Sequence, residues 1–339
     1  MEHSIQQKKI RHISAFILGV VIVLILSIPF TEQCFAGTWE EKNNEWYYLD
    51  DELGHEHWIK EYGYKYYIFS DGKMATDEIS GGFKFNTDTN TGIPYGALLE
   101  NNQVFVKEME INKINFIEIK RNNCDYNKVV IMLHGLGGRK EDYKGYGCKL
   151  AAEGCLVILP EAHAHGDSYA KADYPDIIIQ SSKNIDKILN YYKINSDMEV
   201  DIIGCSMGGM IGSYYVYKGS HKVSKLAMLM STPDLCSLEN KMFFCSYKNG
   251  EEVSRKNIEE IKEKLGKITP LNNILKFRGT KIYMINITED PYIPYSNVKE
   301  FVTEVKTVTD VELTSLHNNQ HSIGKDEFDK SISFVLETK

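Results

Sequence analysis

Short apolar runs alternate with amphipathic segments through the C-terminal two-thirds of this chain. The runs are continuous, rich in β-branched residues, and end in glycine or polar residues: KVVIMLHG, CLVILPEA, VDIIGCSMGG, KLAMLMSTP and KIYMINITED. Strands of a parallel sheet that is covered on both faces have this composition, and the segments between them suit crossover helices. From about Gln103 onward, the sequence therefore predicts an α/β domain built on a mostly parallel sheet.

One predicted strand runs into GCSMGG, which spans Gly204 to Gly209 and is followed by the predicted helix MIGSYYVYK. This is the G-x-S-x-G pattern, in which a serine occupies a sharp turn between a strand and a helix and exposes its hydroxyl. The small flanking residues relieve the crowding of that turn. We therefore predict that Ser206 is a nucleophile.

A serine hydroxyl needs a base within hydrogen-bond reach and an acid that orients this base. In α/β-hydrolases the acid and then the histidine follow the serine, each on the loop after a later strand. Asp290 fits the acid because it follows KIYMINIT and lies in the proline-restricted turn EDPYIP; Asp234 is the alternative. His321 fits the base because it lies just before the last amphipathic segment; His317 is the alternative.

Acyl transfer also needs hydrogen-bond donors for the oxyanion of its tetrahedral intermediate. The sequence LHGLGG follows an early predicted strand and should bring the backbone N–H of Leu136 to the site. The second donor is expected from the N–H of Met207, directly after the serine.

The motifs LHGLGGRKEDY, LPEAHAHGDS, GCSMGGM and EDPYIPY together resemble those of the α/β-hydrolase superfamily, in its esterase and dienelactone-hydrolase-like branch related to prolyl oligopeptidases. The resemblance covers about residues 103–339 and implies a Ser–His–Asp hydrolase without a cofactor. It also implies that PEAHAHGDS is a structural loop in which Gly166 and Ser168 shape the site. Cys205 is a departure directly before the nucleophile, and we expect its thiol to pack rather than react.

Two further segments of this domain have a less specific pattern. His163 and His165 form an HxH pair with Asp167 nearby, but a third and fourth metal ligand are not evident, so we predict no metal site. The segment from Pro233 to Asn273 is longer than a helix connection needs. We expect it to form a lid, in which three apolar residues face the acyl group: Met242, Phe243 and Phe244.

The region before this domain contains an aromatic repeat. The segments WEEKNNEWYYLDDELGHEH, WIKEYGYKYYIFSDGKMAT and DEISGGFKFNTDTNTGIPY align at a period of about nineteen residues, which is close to the shortest solenoid repeats. Trp39 aligns with Trp58, and Tyr47 aligns with Tyr66 and Phe85. Each unit is typical of a small hairpin, and because one hairpin cannot bury its face alone, we expect neighbouring units to stack.

This repeat resembles the cell-wall-binding, or choline-binding, repeats of exported bacterial proteins, whose pattern is W-x-x-x-x-G-x-W-Y-Y-x-x-x-x-G-x-M. The second unit matches this pattern at Trp58, Gly63, Tyr66, Tyr67, Gly72 and Met74. The resemblance covers residues 37–98. It implies that rings of adjacent units form cages for a quaternary ammonium by cation–π attraction, at Trp39, Tyr47, Trp58 and Tyr66.

The alternative is that these rings only hold the stack together. It is supported by the third unit, which has Phe83 and Phe85 in its strand and lacks the leading tryptophan. We predict attachment to the cell envelope through a cell-wall polymer or a choline-like ligand.

The N-terminus has the pattern of an export signal. The basic segment QQKKIRH precedes an apolar run from Ile13 to Phe30 and a small-residue site that ends at Ala36. We predict a secretory signal over residues 1–36, with an uncleaved membrane anchor as the alternative. We expect contact with a membrane only if this segment is not cleaved. The formal net charge of -8 argues against a nucleic-acid partner, because phosphate binding needs clustered Lys and Arg.

Three functions stay open from the sequence. The first is a secreted or cell-surface serine carboxylesterase that acts on small or wall-linked acyl esters. The second is a serine peptidase of the prolyl-oligopeptidase type, which is disfavoured because the chain has no propeller-sized domain to restrict entry. The third is a wall-binding protein with a decayed hydrolase scaffold, which would require Ser206, Asp290 and His321 to have survived together by accident.

Overall fold

The computed structural model describes residues 38–43, 45–49, 54–61, 64–76, 78–79, 83–86, 96–98, 104–121, 125–168 and 170–337. The chain divides into two compact units, Met1–Gln103 and Val104–Lys339. The predicted export segment, residues 1–36, lies outside the described residues. Within the described part of the chain, none of the helices combines the length and the apolar character that crossing a membrane requires.

The described residues of the first unit form antiparallel hairpins at the positions of the aligned repeats. Their strands are β1 (Thr38–Lys42), β2 (Glu45–Leu49), β3 (His57–Glu61), β4 (Tyr64–Ile68), β5 (Glu78–Ile79) and β6 (Phe83–Lys84). Neighbouring repeats are joined by backbone hydrogen bonds. The Tyr48 N–H donates to the Gly72 carbonyl and the Met74 N–H donates to the Trp46 carbonyl, both at 2.8 Å. The hairpins therefore stack, as the repeat pattern predicts.

The second unit is an α/β structure, as the alternating apolar runs predict. Its strands are β7 (Val104–Ile111), β8 (Ile114–Arg121), β9 (Lys128–Leu133), β10 (Leu156–Pro160), β11 (Lys171–Asp173), β12 (Glu199–Cys205), β13 (Lys225–Leu229), β14 (Cys245–Lys248), β15 (Glu251–Arg255), β16 (Lys281–Ile287) and β17 (Val311–Leu316). Its α-helices are α1 (Lys144–Ala152), α2 (Tyr174–Tyr191), α3 (Met207–Lys218), α4 (Ile258–Ile268), α5 (Tyr295–Val305) and α6 (Lys325–Leu336).

In the described part of this unit, one eight-stranded sheet has the order β7-β8-β10-β9-β12-β13-β16-β17. Strands β10, β9, β12, β13, β16 and β17 are parallel to one another, whereas β8 is antiparallel to both β7 and β10. Every residue of β10 and β13 is buried. Helices therefore cover both faces of the central strands, which explains their continuous apolar sequence.

The segment between β13 and β16 forms a small domain-like insertion. It contains 3₁₀ turns at Leu235–Ser237 and Lys241–Phe244, the hairpin β14–β15 and helix α4, and β14 also pairs with β11. Phe243 and Phe244 are buried in the hydrophobic core, and the Phe243 ring lies 5.0 Å from that of Tyr174. These two phenylalanines therefore pack in the core, and a role of the segment as a lid or cap that faces the acyl group stays a prediction.

Candidate active site

The turn between β12 and α3 holds Ser206 in a strained backbone conformation, with φ 52° and ψ -116°. Backbone and side-chain hydrogen bonds hold this turn. The Ser206 N–H donates to the Leu229 carbonyl at 2.7 Å, and the Ser206 carbonyl accepts from the Gly209 N–H at 3.0 Å and from the Ser231 hydroxyl at 2.7 Å. The serine is thus fixed by its backbone, and its side chain is left to project from the turn.

The glycines of the motif allow the turn to pack closely against its neighbours. A Cβ atom on Gly204 would lie 2.3 Å from the Gly208 carbonyl oxygen, and one on Gly208 would lie 2.1 Å from the Leu133 carbonyl oxygen. Both distances are shorter than any non-bonded contact can be. The glycines in GCSMGG are therefore required by the close approach of β12, α3 and β9.

A chain of hydrogen bonds connects Ser206 to an imidazole and a carboxylate. The His321 Nε2 atom lies 2.8 Å from the Ser206 Oγ atom, and its Nδ1 atom lies 2.6 Å from the Asp290 Oδ2 atom. An ionised carboxylate only accepts hydrogen bonds, so Nδ1 carries the proton and Nε2 is free to accept from the Ser206 hydroxyl. This is the tautomer in which an imidazole can take a proton from serine.

The acid of this chain is held rigidly in the turn that the prolines define. The Asp290 side chain has no exposed area, and its Oδ1 atom accepts from the N–H groups of Tyr292 at 2.8 Å and Ile293 at 3.0 Å. The other oxygen is thereby directed at His321. The Tyr292 ring also lies edge-to-face with the His321 ring at 5.1 Å, a contact that no sequence motif predicted.

The two alternative residues lie elsewhere. Asp234 caps the 3₁₀ turn that follows it by accepting from the Cys236 N–H, and it also accepts from the Asn297 amide at 2.9 Å. His317 is exposed, and its Nδ1 atom lies 3.5 Å from the Thr288 hydroxyl. Of the candidate acids and bases, the structure brings Asp290 and His321 to Ser206.

The two predicted oxyanion donors belong to the residue directly after the serine and to the loop after β9. Met207 directly follows it as the first residue of α3, where a helix leaves its N–H without an intrahelical acceptor. Leu136 follows Gly135, on which a Cβ atom would lie 3.5 Å from the Ser206 Cβ atom. Among the described residues, neither the Leu136 nor the Met207 N–H donates to a backbone carbonyl.

Comparisons with known proteins agree with this architecture. A family model described as the alpha/beta hydrolase fold matches residues 128–247, which include the elbow and the loop after β9. The second unit has the α/β-hydrolase fold. No curated protein matches the sequence.

Three solved structures are similar to this chain. TT1662 from Thermus thermophilus has a TM-score of 0.53 and 12% identity, with 69% of this chain and 97% of that chain covered. Est1E from Butyrivibrio proteoclasticus with ferulic acid bound has a TM-score of 0.51 and 15% identity, with 68% and 98% covered. The propionate-bound esterase Est2 from Thermogutta terrifontis has a TM-score of 0.51 and 13% identity, with 68% and 92% covered.

Within the α/β-hydrolase unit, Cys205 is a packing residue, as expected. Its thiol is enclosed although the residue keeps some exposed area, and burial raises its pKa, so the thiol stays protonated near neutral pH. The thiols of Cys148, Cys155 and Cys245 are also free and buried, and that of Cys236 is free and exposed.

The loop after β10 contains the HxH pair and is mostly buried. Burial lowers the pKa of His165 to about 4, so this side chain is neutral near pH 7. A Cβ atom on Gly166 would lie 1.9 Å from a carboxylate oxygen of Glu161, and the Ser168 hydroxyl accepts from the Ala164 N–H at 3.3 Å. Gly166 thus makes room for a buried acid. Within the ranges that the structure describes, no three His, Cys, Asp or Glu side chains are grouped so as to hold a metal ion.

In the first unit, the predicted ligand rings lie in repeating contacts. The Trp39 and Tyr66 ring centroids are 5.4 Å apart, and the same contact recurs one repeat later between Trp58 and Phe85 at 6.1 Å. Tyr66 is buried, Tyr47 is partly buried, and Trp58 is 42% exposed. Tyr66 therefore stabilises the stack, and Trp58 presents the most accessible of these rings.

Proposed function

We propose that this protein is a serine hydrolase that cleaves carboxylic esters, with Ser206 as nucleophile, His321 as base and Asp290 as the acid that orients the base. The observation that carries the proposal is the continuous hydrogen-bond chain from the Asp290 carboxylate through the imidazole to the serine hydroxyl, with distances of 2.6 and 2.8 Å. The strained backbone of the serine supports it, because such strain is characteristic of nucleophile elbows.

The proposed reaction has two steps. In the first, the Ser206 oxygen attacks the acyl carbonyl, His321 Nε2 takes the hydroxyl proton, and Asp290 stabilises the imidazolium. The tetrahedral oxyanion is held by the N–H groups of Leu136 and Met207, each of which contributes about 3 kcal/mol of transition-state stabilisation. The imidazolium then protonates the leaving alcohol, and the C–O bond to this alcohol breaks.

In the second step, the acyl group is released from Ser206. His321 takes a proton from a water molecule, whose oxygen attacks the acyl-enzyme carbonyl through the same oxyanion contacts. The proton then returns to the serine oxygen as the acid departs. The serine, imidazole and carboxylate end this cycle in their starting protonation states, so the proposed reaction is a complete hydrolysis.

Hydrolysis of chromogenic acyl esters, from acetyl upward, and of aminoacyl anilides by residues 37–339 tests this function. We expect ester turnover that disappears in Ser206→Ala and persists in Ser196→Ala, a matched substitution of an exposed serine. Faster cleavage of anilides than of esters would favour the peptidase. Turnover that persists in Ser206→Ala, or a folded protein that cleaves neither class, would contradict the proposal.

We further propose that the protein is exported and that its first unit attaches it to the cell envelope. The basic and apolar N-terminal pattern supports export. The stacked aromatic hairpins and the exposed Trp58 ring support attachment to a wall polymer or a quaternary ammonium group.

Co-sedimentation of the chain with purified cell walls, with and without choline as competitor, tests the attachment. We expect Trp58→Ala to weaken binding without changing ester turnover. Tyr191→Ala is the control, because it removes an exposed aromatic ring from the second unit. Equal sedimentation of the wild-type chain and Trp58→Ala would contradict a role for this ring.

A further inference from the structure

A cluster of buried polar side chains lies behind the loop that follows β9 and takes no part in the proposed proton transfer. Its members have little or no exposed area: His134, Lys140, Glu161 and His165. Burying ionisable groups costs free energy unless each is paired or hydrogen-bonded. The contacts of His134 indicate what the cluster does.

The ring of His134 has a defined orientation and tautomer. Its Nδ1 atom lies 2.8 Å from the carbonyl oxygen of Gly135, and because a carbonyl only accepts, Nδ1 must carry a proton. On the opposite side of the ring, the Ala162 N–H donates to Nε2 at 3.0 Å. The two contacts together hold the ring in one position.

The Gly135 carbonyl is in turn held from two sides. It accepts from His134 Nδ1 and from the Gly138 N–H at 3.1 Å. In a planar trans peptide, the C=O of one residue and the N–H of the next point in opposite directions. Fixing the Gly135 carbonyl toward His134 therefore fixes the Leu136 N–H to point away from the cluster, on a loop whose Gly135 borders the Ser206 side chain.

We infer that His134 is a positioning residue for the oxyanion hole. Its Nδ1–H holds the Gly135 carbonyl and thereby keeps the Leu136 N–H directed at the substrate carbonyl oxygen, which becomes the oxyanion when Ser206 attacks. This inference rests on the proposed function, because it assigns a role in the same reaction. His134 itself does not touch the reacting atoms.

The buried Glu161 carboxylate lies beside the far side of the imidazole, and neither of its oxygens has a hydrogen-bond partner among the described residues. Its Oε1 atom lies 2.9 Å from His134 Nε2, and its Oε2 atom lies 3.8 Å from Lys140 Nζ. Lys140 is in turn hydrogen-bonded to Asp167 at 3.1 Å and paired with Glu141 at 2.6 Å. These contacts stabilise the ring position without reaching the serine.

Two substitutions of His134 separate its two contacts. In His134→Asn, the side-chain amide nitrogen can take the position of Nδ1 and still donate to Gly135, while the contact to Glu161 is lost. In His134→Gln, the amide can take the position of Nε2 and contact Glu161, while the donor to Gly135 is lost. Steady-state kinetics with a chromogenic ester and thermal unfolding are measured for both variants.

We expect His134→Gln to lower kcat toward the roughly 10²–10³-fold loss that follows removal of an oxyanion donor, with KM changed far less. We expect His134→Asn to retain most of kcat, even where it unfolds at a lower temperature. A purely structural role would make activity follow stability in both variants. Equal kcat values in the two variants, or the reverse order, would overturn the inference.

A measurement on the unmutated protein does not depend on activity or on how the variants fold. In ¹⁵N-histidine NMR spectra, we expect the Nδ1 atom of His134 to carry a slowly exchanging proton. An unprotonated Nδ1 atom would overturn the inference. If the wild-type protein shows no Ser206-dependent turnover, the proposed function fails, and the NMR result still tests the geometry by itself.

Discussion

Two histidines in the loop after β17 have different roles because their surroundings differ. His321 is partly buried and contacts both Ser206 and Asp290, whereas His317 is exposed and lies near the Thr288 hydroxyl. Both have the same intrinsic chemistry and lie four residues apart in the chain. Their different surroundings therefore predict different effects of the same substitution.

We expect His321→Asn to lower kcat/KM for an ester by about 10⁴-fold or more, because the serine loses its base. His317→Asn should leave kcat/KM and the unfolding temperature nearly unchanged, because its side chain makes one long contact at the surface. Steady-state kinetics of the two variants and thermal unfolding check this. A similar loss in both would place the base elsewhere in the loop.

Among the elements, the β14–β15 hairpin brings the segment between β13 and β16 against the loop that carries the proposed oxyanion donor. Its tip has positive φ at Asn249 and Gly250, 55° and 83°, as two-residue hairpin turns require. The Gly250 N–H donates to the Ala164 carbonyl at 2.8 Å. A Cβ atom on Gly250 would lie 3.2 Å from His165 and 3.4 Å from Gly137. The hairpin tip therefore supports both loops beside the candidate active site.

Gly250→Val should lower kcat because the added side chain displaces the Gly137 loop. Gly279→Val is the matched control, since Gly279 has nearly the same φ, 81°, but its nearest neighbour is the flexible end of Lys222. The backbone strain of about 1 kcal/mol or more is common to both variants, so their unfolding temperatures should fall by similar amounts. Equal kcat values for the two variants would show that the hairpin tip does not influence the oxyanion loop.

At the scale of the whole α/β-hydrolase unit, a cluster of charged side chains connects the central sheet to the last helix. Lys225 on β13 donates to the carbonyls of Phe334 at 2.7 Å and Glu337 at 2.6 Å, at the C-terminal end of α6. Asp201 on β12 is fully buried and lies 3.4 Å from Lys128. Burial raises the pKa of Asp201 to about 6, although both lysines oppose this shift. The charges thus anchor the helix that follows the His321 loop.

The raised pKa of Asp201 predicts how stability depends on pH. Between its unfolded pKa of about 3.9 and its folded pKa of about 6, the native state binds a proton that the unfolded state has released. This contribution to the free energy of unfolding is therefore full below pH 4 and is lost as pH rises through 6.

Urea unfolding of the wild-type protein and Asp201→Asn from pH 4 to 7 checks this dependence. The stability of the wild-type protein relative to the variant should fall as pH rises, whereas Asp197→Asn, which changes an exposed residue, should show no such trend. A difference between wild-type protein and Asp201→Asn that stays constant with pH would contradict the assignment.

The local sequence was sufficient for the parallel strands, the elbow and the stacked hairpins. Continuous apolar, β-branched runs identified β9, β10, β12, β13 and β16, because burial on both faces strongly favours apolar residues. The glycines around Ser206 identified the elbow, because only glycine fits its close backbone contacts. Each of these features leaves a pattern of composition or spacing within a short segment, and so local sequence predicts it.

Tertiary structure alone decided which distant residues meet. The sequence ranked His321 above His317 and Asp290 above Asp234, but only the path of the chain brings His321 to a serine 115 residues away. The path of the chain also buries Phe243 and Phe244, and it places the Glu161 carboxylate beside the His134 ring. No short motif encodes these contacts, because each depends on the order and register of strands that are far apart in the sequence.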